Sequence, residues 1–212
     1  YIKEIGQTCL NGSSEFVTNI SMSLVGMLYN YQLMKYLGEY GVSAYGAFMY
    51  ISFIFVAIFI GYTTGVAPIV SYNFGAKNQK ELKKVFRESI KFIVFTSIIM
   101  VILAEVLAAP LTNIYVGYNK ELFEITKRAM FIASFCFLFS GIGIFASGFF
   151  TALNDGLVSA ILSFLRTLAF QVISIITLPI FLDVDGIWLS IVVADFLAAI
   201  VSIIFLILKQ KK

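Results

Sequence analysis

The chain has 212 residues, 60% of them hydrophobic and only 13% charged, with 15 Lys+Arg against 12 Asp+Glu and a net charge of +3. A water-soluble domain carries about 25% charged and about 45–50% apolar residues, so this composition excludes a soluble globular domain, a disordered chain and a nucleic-acid binder, and places the chain in a lipid bilayer. With no His, and with Cys9 and Cys136 far apart, there is no imidazole chemistry and no metal-ligand spacing. No enzyme constellation, metal or cofactor is expected, and both cysteines read as small apolar packing residues.

The chain opens on Tyr1 in place of a Met, which leads us to expect sequence upstream; residues 1–8 read as the amphipathic tail of a linker, with none of the apolar core of a signal peptide. A spanning helix needs about 20 mostly apolar residues, and six such spans are predicted. Strict alternation is absent, so helices are expected and a β-barrel is not. The first span, 12–35, starts behind Ser13 and Ser14 and carries Glu15, Asn19, Ser23, Asn30 and Gln32. The second, 43–72, has Pro68 near its far end. Asn78, three residues before Glu81, resembles a capping box. It opens a third span, 80–109, whose first turns are amphipathic and which is expected to close at Pro110, with Glu105 near its end and within reach of the headgroups.

The fourth span, 121–152, is small on one side at Gly141, Gly143 and Gly148, which permits close helix approach or bending. The turn Asn154-Asp155-Gly156 leads into the fifth, 156–181, with Arg166, Gln171 and Pro179. Asp183-Val184-Asp185-Gly186 is a second tight turn, into the sixth span, 187–208, which carries Asp195. Lys209-Gln210-Lys211-Lys212 follows at once and resembles a C-terminus.

Alternating the loops between two sides puts ten of the 15 basic residues on one side: Lys3, Lys77, Lys80, Lys83, Lys84, Arg87, Lys91, Lys209, Lys211 and Lys212. That bias predicts a multi-pass protein of the plasma membrane with both termini in the cytoplasm. Three charges fall inside spans, where each costs a few kcal/mol: Glu15, Arg166 and Asp195. Arg166 and Asp195 are expected at similar mid-depth on neighbouring antiparallel helices, so they are expected to pair, either as a structural lock or as a proton- or ion-linked switch. Glu15 reads either as a carboxylate favoured at a helix N-terminus or as a cation or proton site facing a cavity. Asn19 and Asn30, with Ser23, form a stripe that suits a cavity lining, and Gln171 reads as helix glue or lining. Pro68 and Pro179 mark possible kinks, and Pro68, Gly141 and Gly143 are candidates for conformational change.

Residues 61–77, GYTTGVAPIVSYNFGAK, resemble a segment of the multidrug and toxic compound extrusion (MATE) transporters that runs roughly G-x-x-x-G-x-x-P-x-x-x-x-x-x-G-A; Gly61, Gly65, Pro68, Gly75 and Ala76 fit it. Residues 186–189 (GIWL) are similar to the start of the family's last helix, and Gly148 to Asp155 to the exit of its tenth. EYGVSAY, Glu39 to Tyr45, fits the branch that includes Mep-type bacterial pumps. The resemblance implies an all-α membrane protein: six helices forming one lobe, the second, of a twelve-helix carrier of the MOP superfamily, with the N-terminal lobe absent. It further implies export of organic cations or drug-like molecules in exchange for H⁺ or Na⁺ by rocking of the lobes. The acidic residues of sodium-coupled members are not carried over, because Met22 and Ser140 stand at those positions. The alternative within the superfamily is a flippase for lipid-linked oligosaccharides, which needs several deep basic residues where this chain has Arg166. A passive membrane scaffold predicts that neutralising Glu15, Arg166 and Asp195 affects only stability.

Overall fold

The structure, a computed structural model, describes residues 2–210, with the side chains at 2–4, 7, 10 and 210 left out. Lys211 and Lys212, and the side chain of Lys3, on which part of the topology argument rests, therefore lie outside the described residues. Apart from the short turns 76–78, 117–119 and 153–155, every described residue is helical, so the all-α expectation holds. The order is α1 (Ile2–Gly75), α2 (Gln79–Val116), α3 (Lys120–Ala133), a 3₁₀ turn (Ser134–Cys136), α4 (Phe137–Ala152), α5 (Gly156–Phe164), a π-helical turn (Leu165–Ala169) and α6 (Phe170–Gln210).

Four stretches are long and apolar enough to cross a membrane, and two of them fold back on themselves. In α1 the backbone leaves the helical region at Gly38 (φ 61°, ψ −147°), and in α6 at Asp183 (φ 49°, ψ −129°). Tyr29 and Tyr45 then stack with ring centroids 5.2 Å apart, where an unbroken helix would hold them about 24 Å apart. Glycine takes positive φ freely, and a short polar side chain such as Asp tolerates it best among the others. The result is six rods running alternately up and down. We refer to the halves of α1 as the first and second rods, α2 as the third, α3 with α4 as the fourth, α5 with the start of α6 as the fifth, and the rest of α6 as the sixth.

Rod four is the centre: two thirds (67%) of its apolar stretch is buried, against 17% for the stretch nearest the N-terminus. In lipid there is little hydrophobic drive between helices, so close contact comes from small residues and shape. A Cβ at Gly141 would lie 2.7 Å from the ring of Phe59, and one at Gly148 would strike Thr63. Both glycines, which the sequence allowed as bending points, are contact points where the second rod presses onto α4. Phe55 stacks on Phe137 at 5.1 Å, and Trp188, fully buried, packs at 6.3 Å from Phe48.

The turns carry their own chemistry. The side chain of Asn78 accepts from the Glu81 N–H at 3.3 Å, and Asn119 accepts from both the Glu121 and Leu122 N–H groups at 3.0 and 3.1 Å. Since a helix N-cap contributes about 1 kcal/mol, Asn119→Ala is expected to cost about that much and Asn78→Ala less, read as unfolding free energies in detergent.

Three sequence expectations change. Helix α2 runs through Pro110 to Val116, because neighbouring rods hold the local backbone and a proline within a membrane helix is tolerated. Rod four is interrupted by the 3₁₀ turn at Ser134–Cys136, where Ser134 Oγ donates to Glu105; that carboxylate is therefore tied to the protein. At Pro179, which has no N–H to give to the Ile175 carbonyl, Gln32 Nε2 donates to that oxygen at 3.3 Å. Tyr36 OH donates to the Pro179 carbonyl at 3.4 Å, just before the reversal at Asp183. The first rod thus supplies a donor to the Ile175 carbonyl, which the proline leaves without its usual helical partner, and a second to the Pro179 carbonyl beside the reversal.

Candidate functional site

Polar groups that would be costly in lipid gather where rods one, four, five and six meet. Tyr29, 1% exposed, donates to Gln171 Oε1 at 2.7 Å, and its hydroxyl lies 2.7 Å from Ser190 Oγ. One phenol so ties rods one, five and six. Gln171 is thereby placed as an interior link, and Tyr29 and Ser190, which the sequence reading passed over, are its partners. The signal for Tyr29 was its position on the core face of rod one, between Val25 and Leu33, both buried.

Arg166 sits in the π-helical turn, an irregularity that is rare and concentrated at functional sites. Its side chain runs over Gly143: a Cβ there would lie 2.7 Å from Arg166 Cδ, so Gly143 provides room for the arginine stem. Arg166 lies within electrostatic range of both Asp195 and Glu15. Arg166 thus has one carboxylate on rod one and one on rod six within electrostatic range, the second buried and the first exposed.

The expected Arg166–Asp195 ion pair is not closed. Among the described residues neither group forms an ion pair within 4.0 Å, and Arg166 Nε is buried without a hydrogen-bond partner. Depth explains this. Counting back from the reversal at Asp183 at 1.5 Å per residue, Asp195 lies about 18 Å down its rod and Arg166 about 25 Å. Helical side chains lean toward their own N-terminus, and on these antiparallel rods that tilt moves the two heads apart. Asp195 is 8% exposed, a buried carboxylate with no direct hydrogen bond among the described residues.

Glu15, Asn19, Ser23 and Asn30 lie elsewhere on rod one: all four are exposed. At 100° per residue they fall within an arc of about 80°, flanked by the exposed apolar residues Phe16, Ile20, Leu24 and Met27. Asn19 Nδ2 donates to the Glu15 carbonyl at 2.8 Å and Ser23 to the Asn19 carbonyl at 3.3 Å, so part of the stripe's hydrogen bonding is met along the helix. Pro68 is exposed on rod two, within continuous helix.

A second polar feature was not foreseen. Ser147 on α4 lies 2.9 Å from Ser159 and 2.8 Å from Ser163 on α5, and Thr151 lies 2.7 Å from Ser159. This hydroxyl ladder binds rods four and five just below Gly143 and Arg166. The i, i+4 spacing of Ser147 with Thr151 and of Ser159 with Ser163 was its trace in the sequence. At the two ends of the lobe, Arg128 forks onto Asp185 (2.8 and 2.5 Å) and Lys209 pairs with Asp155 at 3.3 Å.

A six-rod helical lobe with Arg166 and Asp195 set within it and a polar stripe on one outer face defines a class: half of a repeat-built membrane carrier. The MatE family profile matches residues 16–177, and the chain belongs to that family. It is 23% identical over 205 residues to the multidrug export protein MepA of Staphylococcus aureus strain bovine RF122 / ET3-1, and 24% identical to MepA of strain MSSA476. Each match covers 95% of this chain and 44% of the relative, so the chain spans less than half the length of the relatives it matches. Its fold superposes on a multidrug resistance MATE transporter of the MOP superfamily in an outward-facing conformation, with a TM-score of 0.88 and 21% identity, over 95% of this chain and 46% of that one. On the Vibrio cholerae MATE transporter VcmN in its bent form the TM-score is 0.81 at 18% identity, over 91% and 44% of the two chains. The one-lobe, MATE-like reading of the sequence is borne out.

Proposed function

We propose that this chain is the second lobe of a secondary multidrug efflux transporter, that its six rods are the six membrane spans, and that rod one lines a central cavity shared with an N-terminal lobe. The observation that carries this reading is the exposed stripe Glu15, Asn19, Ser23 and Asn30 on a rod whose neighbouring surface is apolar. A carboxylate and amides facing hydrocarbon would cost several kcal/mol, whereas a wet cavity costs them little. The named function of the MepA relatives supports export of drug-like molecules, with organic cations favoured by Glu15.

Asp195 and Arg166 behind that stripe form the coupling element. Asp195 takes up H⁺ or pairs with Na⁺, which weakens its pull on Arg166 relative to that of Glu15, and the lobe rocks against its partner. The basic rim supports a lysine-rich end facing the cytoplasm at the plasma membrane.

The test joins this chain to the sequence preceding it in its gene and follows ethidium export from vesicles. Export by the joined protein, a loss of about tenfold in Glu15→Gln (about 1.4 kcal/mol in the barrier), and no export by the 212-residue chain alone are expected. Equal export by wild type and Glu15→Gln would remove Glu15 from the cavity.

A further inference from the structure

At the lysine-rich end, four rod ends fail to close on one another. The last turn of rod two, the first turns of α2, the end of α4 and the end of α6 surround a cleft of about 450 Å³. Leu82, Phe149, Leu153 and Leu206 give it a buried apolar floor. Two cations, Lys83 and Lys209, stand at its walls. Lys209 is held by Asp155 at 3.3 Å, while Lys83 has no hydrogen bond or ion pair among the described residues. Lys80 and Arg87, one turn either side of Lys83, add positive charge. Exposed Ile203 and Ile207 carry apolar surface along α6 from Leu206.

The combination is selective. An oily floor excludes a small hydrated anion as the sole occupant, and a cationic mouth discriminates against a zwitterionic lipid. Basic pockets between membrane helices suit anionic headgroups, and each Lys near such a surface contributes about 1 kcal/mol. A volume of this size falls in the range of small-molecule sites, about 300–1,000 Å³, enough for the phosphate-glycerol part and the start of one acyl chain. We propose that this cleft binds an anionic phospholipid of the phosphatidylglycerol type, phosphate between Lys83 and Lys209, acyl chain across Leu206 and Phe149. The assignment stands apart from the transport reading, since it needs only a lobe in a bilayer.

The experiment is native mass spectrometry of the full chain in detergent, titrated with phosphatidylglycerol or phosphatidylcholine. Preferential retention of phosphatidylglycerol is expected, with a drop of about fivefold for each of Lys83→Gln and Lys209→Gln and retention kept in Lys83→Arg. Leu206→Trp, which fills the floor and leaves both lysines, is expected to lose the lipid; if that variant melts early, the paired Gln and Arg variants at Lys83 decide. Equal retention of the two lipids, or a double Gln variant that binds phosphatidylglycerol as the parent does, overturns the proposal. Displacement of the lipid by an equal concentration of inorganic phosphate also overturns it, because the ligand would then be the free anion.

Discussion

Asp195→Asn in the assembled transporter is expected to lower drug export by about tenfold or more, the rate equivalent of ~1.4 kcal/mol in the barrier, while leaving the protein's melting temperature within a few degrees of wild type. The expectation follows from geometry. Asp195 is buried, accepts no hydrogen bond among the described residues, and stands apart from Arg166 across a gap too wide for a closed ion pair. A carboxylate locked in a direct pair would be costly to break, about 3–5 kcal/mol, and would serve as a fixed clasp. One held apart from its counter-charge is free to exchange a proton or a cation, and Asn keeps its shape while removing that exchange. A pure scaffold role predicts the opposite pattern, lost stability with unchanged export per folded molecule. Drug-export rates and melting curves on the same preparation separate the two.

Gly186→Ala is expected to destabilise the lobe by about 3 kcal/mol, the upper end of ordinary overpacking. The new Cβ would lie 2.5 Å from the Leu178 oxygen, 2.6 Å from its carbonyl carbon and 2.8 Å from the Pro179 nitrogen. These are backbone atoms at the reversal between rods five and six, and they cannot rotate aside as a side chain would. Gly143→Ala meets the flexible stem of Arg166 instead, and should cost less while disturbing Arg166. Asp183→Gly, which relieves a non-glycine residue at φ 49°, is expected to stabilise the same corner by about 1 kcal/mol. Denaturant unfolding in detergent, monitored by Trp188 fluorescence, reads all three.

The rods themselves were legible because burying backbone in lipid leaves few options: charge-poor runs between Asn- and Gly-bearing turns had to be helices. The Gly/Pro/Gly-Ala block from Gly61 to Ala76 carried the family. What a single sequence does not show is rotation about the helix axis and relative depth. Arg166 and Asp195 were each placed well inside their rods, yet similar distances from their own helix starts hid a difference of about 7 Å along the rods. The Tyr29–Gln171–Ser190 link and the Ser147–Ser159–Ser163 ladder depend on which faces meet, and a lone Tyr or Ser in an apolar run is ordinary. Pro110 failed as a stop because tertiary packing overrides a local breaker, and Gly141 and Gly148 were read as possible hinges because a small residue looks the same whether it bends a helix or admits a neighbour.

Cysteine-accessibility mapping of rod one tests the shared-cavity account most directly. With Cys9 and Cys136 replaced, single cysteines are placed through positions 16 to 30 of the transporter joined to its first lobe, and labelled with a membrane-impermeant thiol reagent. Labelling is predicted to be strong at Asn19, Ser23 and Asn30, blocked there by bound drug, and weak at Phe16, Ile20 and Leu24. Equal labelling around the helix, or labelling of the stripe that drug leaves unchanged, would contradict the claim that this face looks into a drug-holding cavity.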